Sequence, residues 1–176
     1  MIRLNLISRI AYDKLFFLDF IVLIANLRKC NFDVRLKIIG KIYNTEICEL
    51  ILRTSRILNV AEFVEVTGES RPINQIENSN EDYFVNISVG SFIGYSSIEC
   101  VSYGLRTIFY NVDEKLIRDT NDNSFCFNFE ELLNLLKLIC SERNVYFDKL
   151  QIENIQTANK FILDEVRIAK LIDILI

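Results

Sequence analysis

The alternation of apolar and polar positions along the chain predicts strands and helices in regular succession. Short runs rich in β-branched residues, bounded by glycine or polar residues, predict six strands. The predicted strands lie at residues 2–7, 33–39, 61–66, 83–87, 106–110 and 124–127. Apolar residues at helical spacing predict helices at residues 15–28, 45–58, 128–140 and 146–176, together with a short helix that Gly104 closes.

Strands that alternate with helices favour an α/β fold: a Rossmann-like, doubly wound, mostly parallel sheet of about six strands flanked by helices. Residues 73–80 leave a choice between a short helix and an irregular segment. Thr45 and Asn128 are expected to cap the helices that begin beside them. In such a sheet ligands bind beyond the carboxyl ends of the strands. The loops after the first four strands, at residues 8–14, 40–43, 68–71 and 88–95, should therefore share one rim.

The loop after the fourth predicted strand carries the clearest functional pattern. Three of the five glycines in the chain, Gly90, Gly94 and Gly104, lie in it or close the helix that follows. A loop that opens a helix directs backbone N–H groups and the positive end of the helix dipole at one point. The pattern therefore predicts a site for a phosphate or a sugar hydroxyl, and the carboxylate of Glu99 could face the same cleft.

Composition and charge narrow the class of protein. The 176 residues suit one domain, and 51% of them are hydrophobic. The net charge of −4 and the pI of about 5.0 argue against nucleic-acid binding, because no basic stripe with interleaved aromatic residues is present. The most apolar run, residues 15–25, is too short to span a bilayer, and no secretory signal is visible. A cytoplasmic protein is the expectation.

The chain contains five cysteines and no histidine. Ser-His-Asp and Cys-His catalysis within this chain and histidine metal ligands are thereby excluded. The cysteines are expected to be reduced, mostly buried thiols, since no two are spaced as CxxC. The acidic segments 113–114 and 119–122 could indicate a metal site, but a solvated loop is the preferred interpretation, and we expect no metal.

Several motifs follow one another in an order that resembles a known family. They are Arg9-xxxx-Lys14, Ile38-Ile39-Gly40, Val64-x-Val66-x-Gly68, Asp82-Tyr-Phe-Val-x-x-Ser88 and the block from Gly94 to Ile108. Their order and spacing are similar to those of the C-terminal, nucleotide-sugar-binding domain of retaining GT-B glycosyltransferases of the group 1 type. The resemblance covers nearly the whole chain. It implies one half of a GT-B fold.

The resemblance also implies roles for particular residues. Arg9 and Lys14 would bind the donor diphosphate, and Glu99, the second acidic residue of the family's Glu-x7-Glu motif, would accept hydrogen bonds from the ribose hydroxyls. The donor sugar and phosphate would be bound by the loop Gly90, Ser91, Phe92, Ile93, Gly94 and Tyr95. The nucleotide sugar is the donor substrate, and no separate cofactor is implied.

The chain departs from the family pattern within that loop. Ser91 stands where the family has the first glutamate of the motif, and Phe92-Ile93-Gly94 replaces Gly-Phe-Gly. Serine can donate a hydrogen bond but carries no negative charge, so no catalytic residue is assigned. Nucleotide binding is therefore better supported than sugar transfer.

The resemblance leaves the role of the chain open between two hypotheses. In the first, residues 1–176 form a single donor-binding domain that transfers a hexose-type sugar to a glycan or lipid-linked acceptor only with an acceptor-binding domain supplied elsewhere, either because a separate chain carries that domain or because this chain is a truncated product. In the second, the chain is a non-catalytic remnant or interaction module that keeps the fold. An exposed part of the C-terminal helix would be an interface with such a partner or with the inner face of a membrane.

Overall fold

In the part of the chain that the structure describes, six strands pair in parallel to form one sheet. The computed structural model describes residues 1–87, 95–111 and 124–161. The strands are β1 (Ile2–Ile7), β2 (Val34–Ile39), β3 (Val64–Val66), β4 (Asp82–Ile87), β5 (Thr107–Tyr110) and β6 (Phe125–Cys126). Their spatial order is β3-β2-β1-β4-β5-β6. This confirms the predicted doubly wound α/β fold, and it places the reversal of strand order between β1 and β4.

Helices cover one face of the sheet and form the main core with it. The helices are α1 (Phe17–Lys29), α2 (Thr45–Ile57), α3 (Tyr95–Ser102), α4 (Phe129–Ser141) and α5 (Arg143–Phe161). Helices α1, α2 and α4 pack on the face that carries Leu4, Leu36 and Ile108, which we call the aliphatic face. Ile24 of α1 and Leu136 of α4 are fully buried there. Burial of each such side chain stabilises the fold by about 1.5–3 kcal/mol.

The opposite face of the sheet, which we call the mixed face, is apolar over β4–β6 and polar over β1 and β2. Phe109 stacks on Phe125 with ring centroids 4.8 Å apart, beneath α3 and the end of α5. On β1 and β2 this face carries two lateral pairs of polar residues, Arg3 with Arg35 and Asn5 with Lys37. Because side chains alternate along a strand, the same strands present aliphatic residues to the main core.

Helix α5 passes from the aliphatic face to the mixed face beside Thr107, the first residue of β5. Leu150 belongs to the main core, whereas Ala158 packs against Phe109. Between them, the side-chain amide of Asn154 accepts a hydrogen bond from the N–H of Thr107 at 2.6 Å and donates one to its carbonyl at 2.9 Å. β6 pairs with β5 only from Phe109 onward, so Asn154 satisfies backbone groups that β6 does not reach.

The connection between β3 and β4, residues 67–81, contains one 3-10 turn at Ile73–Gln75 and otherwise follows an irregular path. Arg106, which is 5% exposed, holds it in place. Its Nε donates to the carbonyl of Asp82 at 3.0 Å, its Nη2 donates to the carbonyl of Ser79, and its guanidinium lies 4.2 Å from the ring centroid of Phe147. This connection, which the structure describes throughout, contains no α-helix, and hydrogen bonds donated by the buried Arg106 side chain fix its path instead.

The structure corrects several local predictions. The predicted Thr45 cap is wrong: the cap of α2 is Asn44, whose Oδ1 accepts from the N–H of Ile47 at 2.8 Å. The predicted strand at residues 61–66 is shorter, because Ala61–Phe63 forms a 3-10 turn before β3. Asn128 caps α4 as predicted.

The predicted C-terminal helix begins earlier than expected, at Arg143, and is described as far as Phe161. Residues 162–176 of that prediction lie outside the described residues.

Candidate functional site

The loop after β1 is held tightly against the end of β2. A Cβ atom on Gly40 would lie 2.1 Å from the carbonyl oxygen of Ser8, so the close approach of the two backbones requires glycine. The N–H of Ile10 donates to the carbonyl of Lys41 at 3.0 Å, and the N–H of Tyr43 donates to the carbonyl of Ile10 at 2.9 Å. The loop therefore has a defined path across the carboxyl ends of β1 and β2.

This loop brings the two predicted diphosphate ligands to the same carboxylate oxygen. Nη2 of Arg9 lies 2.9 Å from Oδ2 of Asp13, and Nζ of Lys14 lies 3.8 Å from the same atom. The side chain of Arg9 is 58% exposed and that of Lys14 is 21% exposed. Lys14 is further restricted by the ring of Phe16, 5.7 Å from its Nζ. Two cations that converge on one anionic oxygen form an arrangement suited to a phosphate group.

The loop also contacts the next two loops of the predicted rim. Ile10 forms an isolated parallel bridge with Ile42, and the N–H of Lys41 donates to the hydroxyl of Ser70 at 3.3 Å. The hydroxyl of Tyr12 donates to a carboxylate oxygen of Glu46 in the first turn of α2. The first three loops of the predicted rim are thus connected to one another.

Helix α3 lies on the other side of the point where the strand order reverses. β1 is followed by β2 on one side, and its other neighbour, β4, leads into α3. Glu99 lies in α3 with an exposed side chain, and its carboxylate forms no hydrogen bond or ion pair with any described residue, Arg9 and Lys14 included. Arg9, Lys14 and Glu99 therefore belong to the two segments that flank the switch point, although no direct contact joins Glu99 to the cations.

Cys100, next to Glu99, is a packing residue. It is buried against Phe84 and Leu105. Burial, reinforced by the negative charge of Glu99, raises the pKa of its thiol to about 12, so the side chain is a neutral thiol at physiological pH. Cys126 is also buried, Cys48 and Cys140 are half-buried, and Cys30 is exposed. The prediction of mostly buried thiols therefore fails at Cys30, which follows the last residue of α1.

Comparison with known proteins identifies the fold through structure rather than sequence. No protein-family model matches the chain, and no curated protein sequence does. A glycosyltransferase from Rickettsia africae is similar with a TM-score of 0.74 and 15% identity, over 99% of this chain and 47% of that one. The C-terminal domain of a group 1 glycosyltransferase from Francisella tularensis is similar with a TM-score of 0.67 and 15% identity, over 93% of this chain and 87% of that domain. The chain has the fold of the C-terminal domain of GT-B glycosyltransferases.

A third similar structure carries bound ligands. The Anabaena protein HepE, in complex with UDP and glucose, is similar with a TM-score of 0.70 and 12% identity, over 97% of this chain and 48% of that one. This chain spans about half the length of the Rickettsia and Anabaena proteins. The similarity therefore concerns one GT-B domain.

Part of the predicted GT-B donor site lies outside the described residues. Gly90, Ser91, Phe92, Ile93 and Gly94 lie outside the described residues. Tyr95 is the first residue of α3, and only its backbone is described. The acidic segments 113–114 and 119–122 also lie outside them.

The sequence interpretation missed Asp13 as a partner of both predicted phosphate ligands. Asp13 follows Arg9 by four residues and directly precedes Lys14. That spacing predicts a pair only on a helix, and residues 8–14 form a loop, so the sequence pattern gave no clear signal for the contact. It also missed why Gly40 is required, since its contact with Ser8 joins segments far apart in sequence.

Two further properties of the described residues bear on ligands and membranes. In residues 1–87, 95–111 and 124–161, no three cysteine or acidic side chains are grouped so that they could hold a metal ion. Among the helices described there, none is long and apolar enough to cross a membrane.

Proposed function

We propose that this chain is the nucleotide-sugar-binding domain of a retaining glycosyltransferase, which transfers a hexose-type sugar to a glycan or lipid-linked acceptor. The observation that carries the proposal is the convergence of Arg9 and Lys14 on one oxygen, on the loop after β1, in a GT-B domain. The acceptor-binding domain is supplied by another polypeptide segment or chain. The setting we propose is polysaccharide or glycolipid synthesis at the cytoplasmic side of a membrane.

In this proposal the two cations act on the leaving group. When the bond between the sugar and the diphosphate breaks, negative charge increases on the diphosphate oxygens. Arg9 and Lys14 stabilise that charge, and the largely buried Lys14 loses little freedom on binding because its position is already restricted. Glu99 accepts hydrogen bonds from both ribose hydroxyls, for which two carboxylate oxygens are suited. Residues 90–95 bind the sugar and the adjacent phosphate.

Calorimetry with UDP and GDP tests nucleotide binding. We expect Arg9→Gln and Lys14→Gln each to weaken binding by roughly 10-fold or more, since a charge-assisted hydrogen bond contributes about 1.5–3 kcal/mol. Glu99→Ala should weaken binding of UDP more than that of pyrophosphate, which lacks ribose. Lys29→Gln, at the exposed end of α1, is the matched control and should bind normally. Absence of binding of either nucleotide at about 1 mM would contradict the proposal.

Ser91 favours a second candidate function, a non-catalytic module that keeps the fold and nucleotide binding. A serine supplies no carboxylate where the family has one. Donor hydrolysis or sugar transfer, measured with the chain alone and together with an acceptor-binding GT-B domain, separates the two functions. Turnover in either assay would rule out the non-catalytic module.

A further inference from the structure

Arg9 and Lys14 are already neutralised in part by the protein itself. Both cations contact Oδ2 of Asp13, at 2.9 Å and 3.8 Å. Asp13 is 54% exposed, and no other carboxylate among the described residues lies within 4.0 Å of either cation. The carboxylate therefore occupies the position at which two positive charges converge.

The path of the loop keeps Arg9, Asp13 and Lys14 together on one short, anchored segment. Ile10 is fully buried and is hydrogen-bonded on both sides to the segment after β2, and the hydroxyl of Tyr12 is bonded to Glu46. Asp13 and Lys14 follow directly, and the N–H of Lys14 donates to the carbonyl of Ala11 at 3.0 Å. An anion that binds to both Arg9 and Lys14 therefore comes close to the Asp13 carboxylate.

We propose that Asp13 is an internal counter-ion that competes with the diphosphate of the nucleotide for Arg9 and Lys14. This inference rests on the function proposed above and adds a residue that sets the affinity of the same site. Asp13 lowers the affinity for the bound nucleotide and accelerates release of the nucleoside diphosphate. It also keeps the two cations in place when no nucleotide is bound, which limits the reorganisation that binding requires.

The charge balance predicts how the effect depends on the ligand. With Asp13 the three side chains carry a net charge of +1, and without it they carry +2. The gain on removing Asp13 should grow with the negative charge of the ligand, because each ligand charge is repelled by the carboxylate. Repulsion between two unit negative charges about 4 Å apart in water weakens binding roughly fivefold, and added salt reduces this repulsion.

The test compares Asp13→Asn with the wild-type chain and with Asp33→Asn by calorimetry. Asp33 is a matched control, since it is a similarly exposed carboxylate that pairs with Arg28 at 2.7 Å before the first residue of β2, at the opposite end of the sheet. The probes are UDP, UMP and uridine, each at low and at high salt. We expect Asp13→Asn to tighten UDP about fivefold, UMP about twofold and uridine not at all. The gain should shrink at high salt.

The outcomes separate this inference from the proposed function. If the wild-type chain binds UDP and Asp13→Asn binds it no more tightly than Asp33→Asn does, Asp13 is not a counter-ion and the proposed function stands. If Asp13→Asn weakens UDP binding, Asp13 supports the ligand instead, and the inference is again wrong. If neither protein binds UDP while urea unfolding shows both to be folded, the proposed function and this inference are both overturned.

Discussion

Single residues determine where the candidate site lies, and Gly40 is the clearest case. Its backbone is so close to Ser8 that any side chain would overlap the Ser8 carbonyl group. Gly40 is therefore the residue that allows Arg9 and Lys14 to extend over the end of β2. Its importance for the site comes from packing, since Gly40 itself carries no functional group.

Gly40→Ala should disturb both stability and nucleotide binding. The added Cβ atom would meet backbone atoms of Ser8 at 2.1 Å and 2.6 Å, so the loop after β1 must shift. We expect a loss of about 1–3 kcal/mol in the free energy of unfolding, measured with urea. Because the shifted loop carries Arg9 and Lys14, UDP binding by the folded variant should weaken by roughly 10-fold.

Gly104→Ala is the control for that experiment. Gly104 has a φ of 71°, and no atom lies within 4 Å of a Cβ atom built on it. Its substitution should cost about 1 kcal/mol through backbone conformation alone and leave UDP binding unchanged. Equal effects of both variants on binding would show that Gly40 does not position the loop.

The residues of the site were only partly predictable from the sequence, and the reason is physical. Arg9 and Lys14 could be singled out because they follow a predicted strand at a recognisable offset. The contact between Gly40 and Ser8 joins segments about 30 residues apart, and it depends on the lateral pairing of β1 with β2. The pattern of residues along the sequence does not show which strands lie side by side.

At the scale of elements, the side chain of Asn154 in α5 makes the hydrogen bonds to β5 that a longer β6 would make. β6 has two residues and pairs with β5 only at Phe109 and Tyr110. The N–H and carbonyl of Thr107, a fully buried residue, are left for Asn154 to satisfy. A buried backbone group without a partner would destabilise the fold, so Asn154 attaches α5 to the sheet.

Asn154→Leu should therefore be strongly destabilising. Leucine fills a similar volume but leaves both Thr107 groups unpaired, which we expect to lower the free energy of unfolding by about 2–4 kcal/mol. The urea unfolding midpoint measures the loss. Gln156→Leu, an exposed position on the same helix, should change the stability by less than about 0.5 kcal/mol. A loss as small for Asn154→Leu would show that water satisfies Thr107.

The sequence predicted helices well where the spacing of apolar residues determines their extent. It predicted a helix end less well where two adjacent residues could both cap the helix. The apolar spacing of α1 and α4 gave helices close to those observed, and the side chain of Asn128 caps α4 as expected. At α2 two adjacent residues, Asn44 and Thr45, could both cap a helix, and only the extended backbone at Asn44 decides between them.

On the scale of the whole molecule, the carboxyl and amino ends of the strands have different roles. The carboxyl ends of the strands carry the candidate site, whereas the amino ends contain a network that ties β1, β4 and the connection before β4 together. Its centre is the fully buried Asp82, which accepts hydrogen bonds from Asn5 at 2.9 Å and from the hydroxyl of Ser79 at 2.6 Å, and which pairs with Arg3 at 3.2 Å. The doubly wound order could be predicted from the succession of elements, but this network could not, because its members come from three separate segments.

Asp82→Asn should reveal how much this network contributes and how the contribution depends on pH. Burial alone would raise the pKa of Asp82, but hydrogen bonds from Ser79 and Asn5 and the charge of Arg3 lower it below its ordinary value of 3.8. A carboxyl whose pKa is lowered by folding binds fewer protons in the folded state than in the unfolded state. Its stabilising contribution is therefore complete above the unfolded-state pKa and is lost as the pH falls towards the folded-state pKa.

We expect Asp82→Asn to cost about 2–3 kcal/mol of unfolding free energy at pH 7, since Arg3 and one Ser79 donor lose their charged partner. The difference from the wild-type chain should shrink as the pH is lowered below 3.8, because the unfolded wild-type chain then gains a proton at Asp82 while the folded chain still resists protonation there. Urea unfolding of both proteins from pH 7 to pH 3 measures it, and the exposed Asp33→Asn variant should show little difference at pH 7. A penalty for Asp82→Asn that stays constant over this range would mean that Asp82 binds protons equally in the folded and unfolded states, so that folding does not lower its pKa.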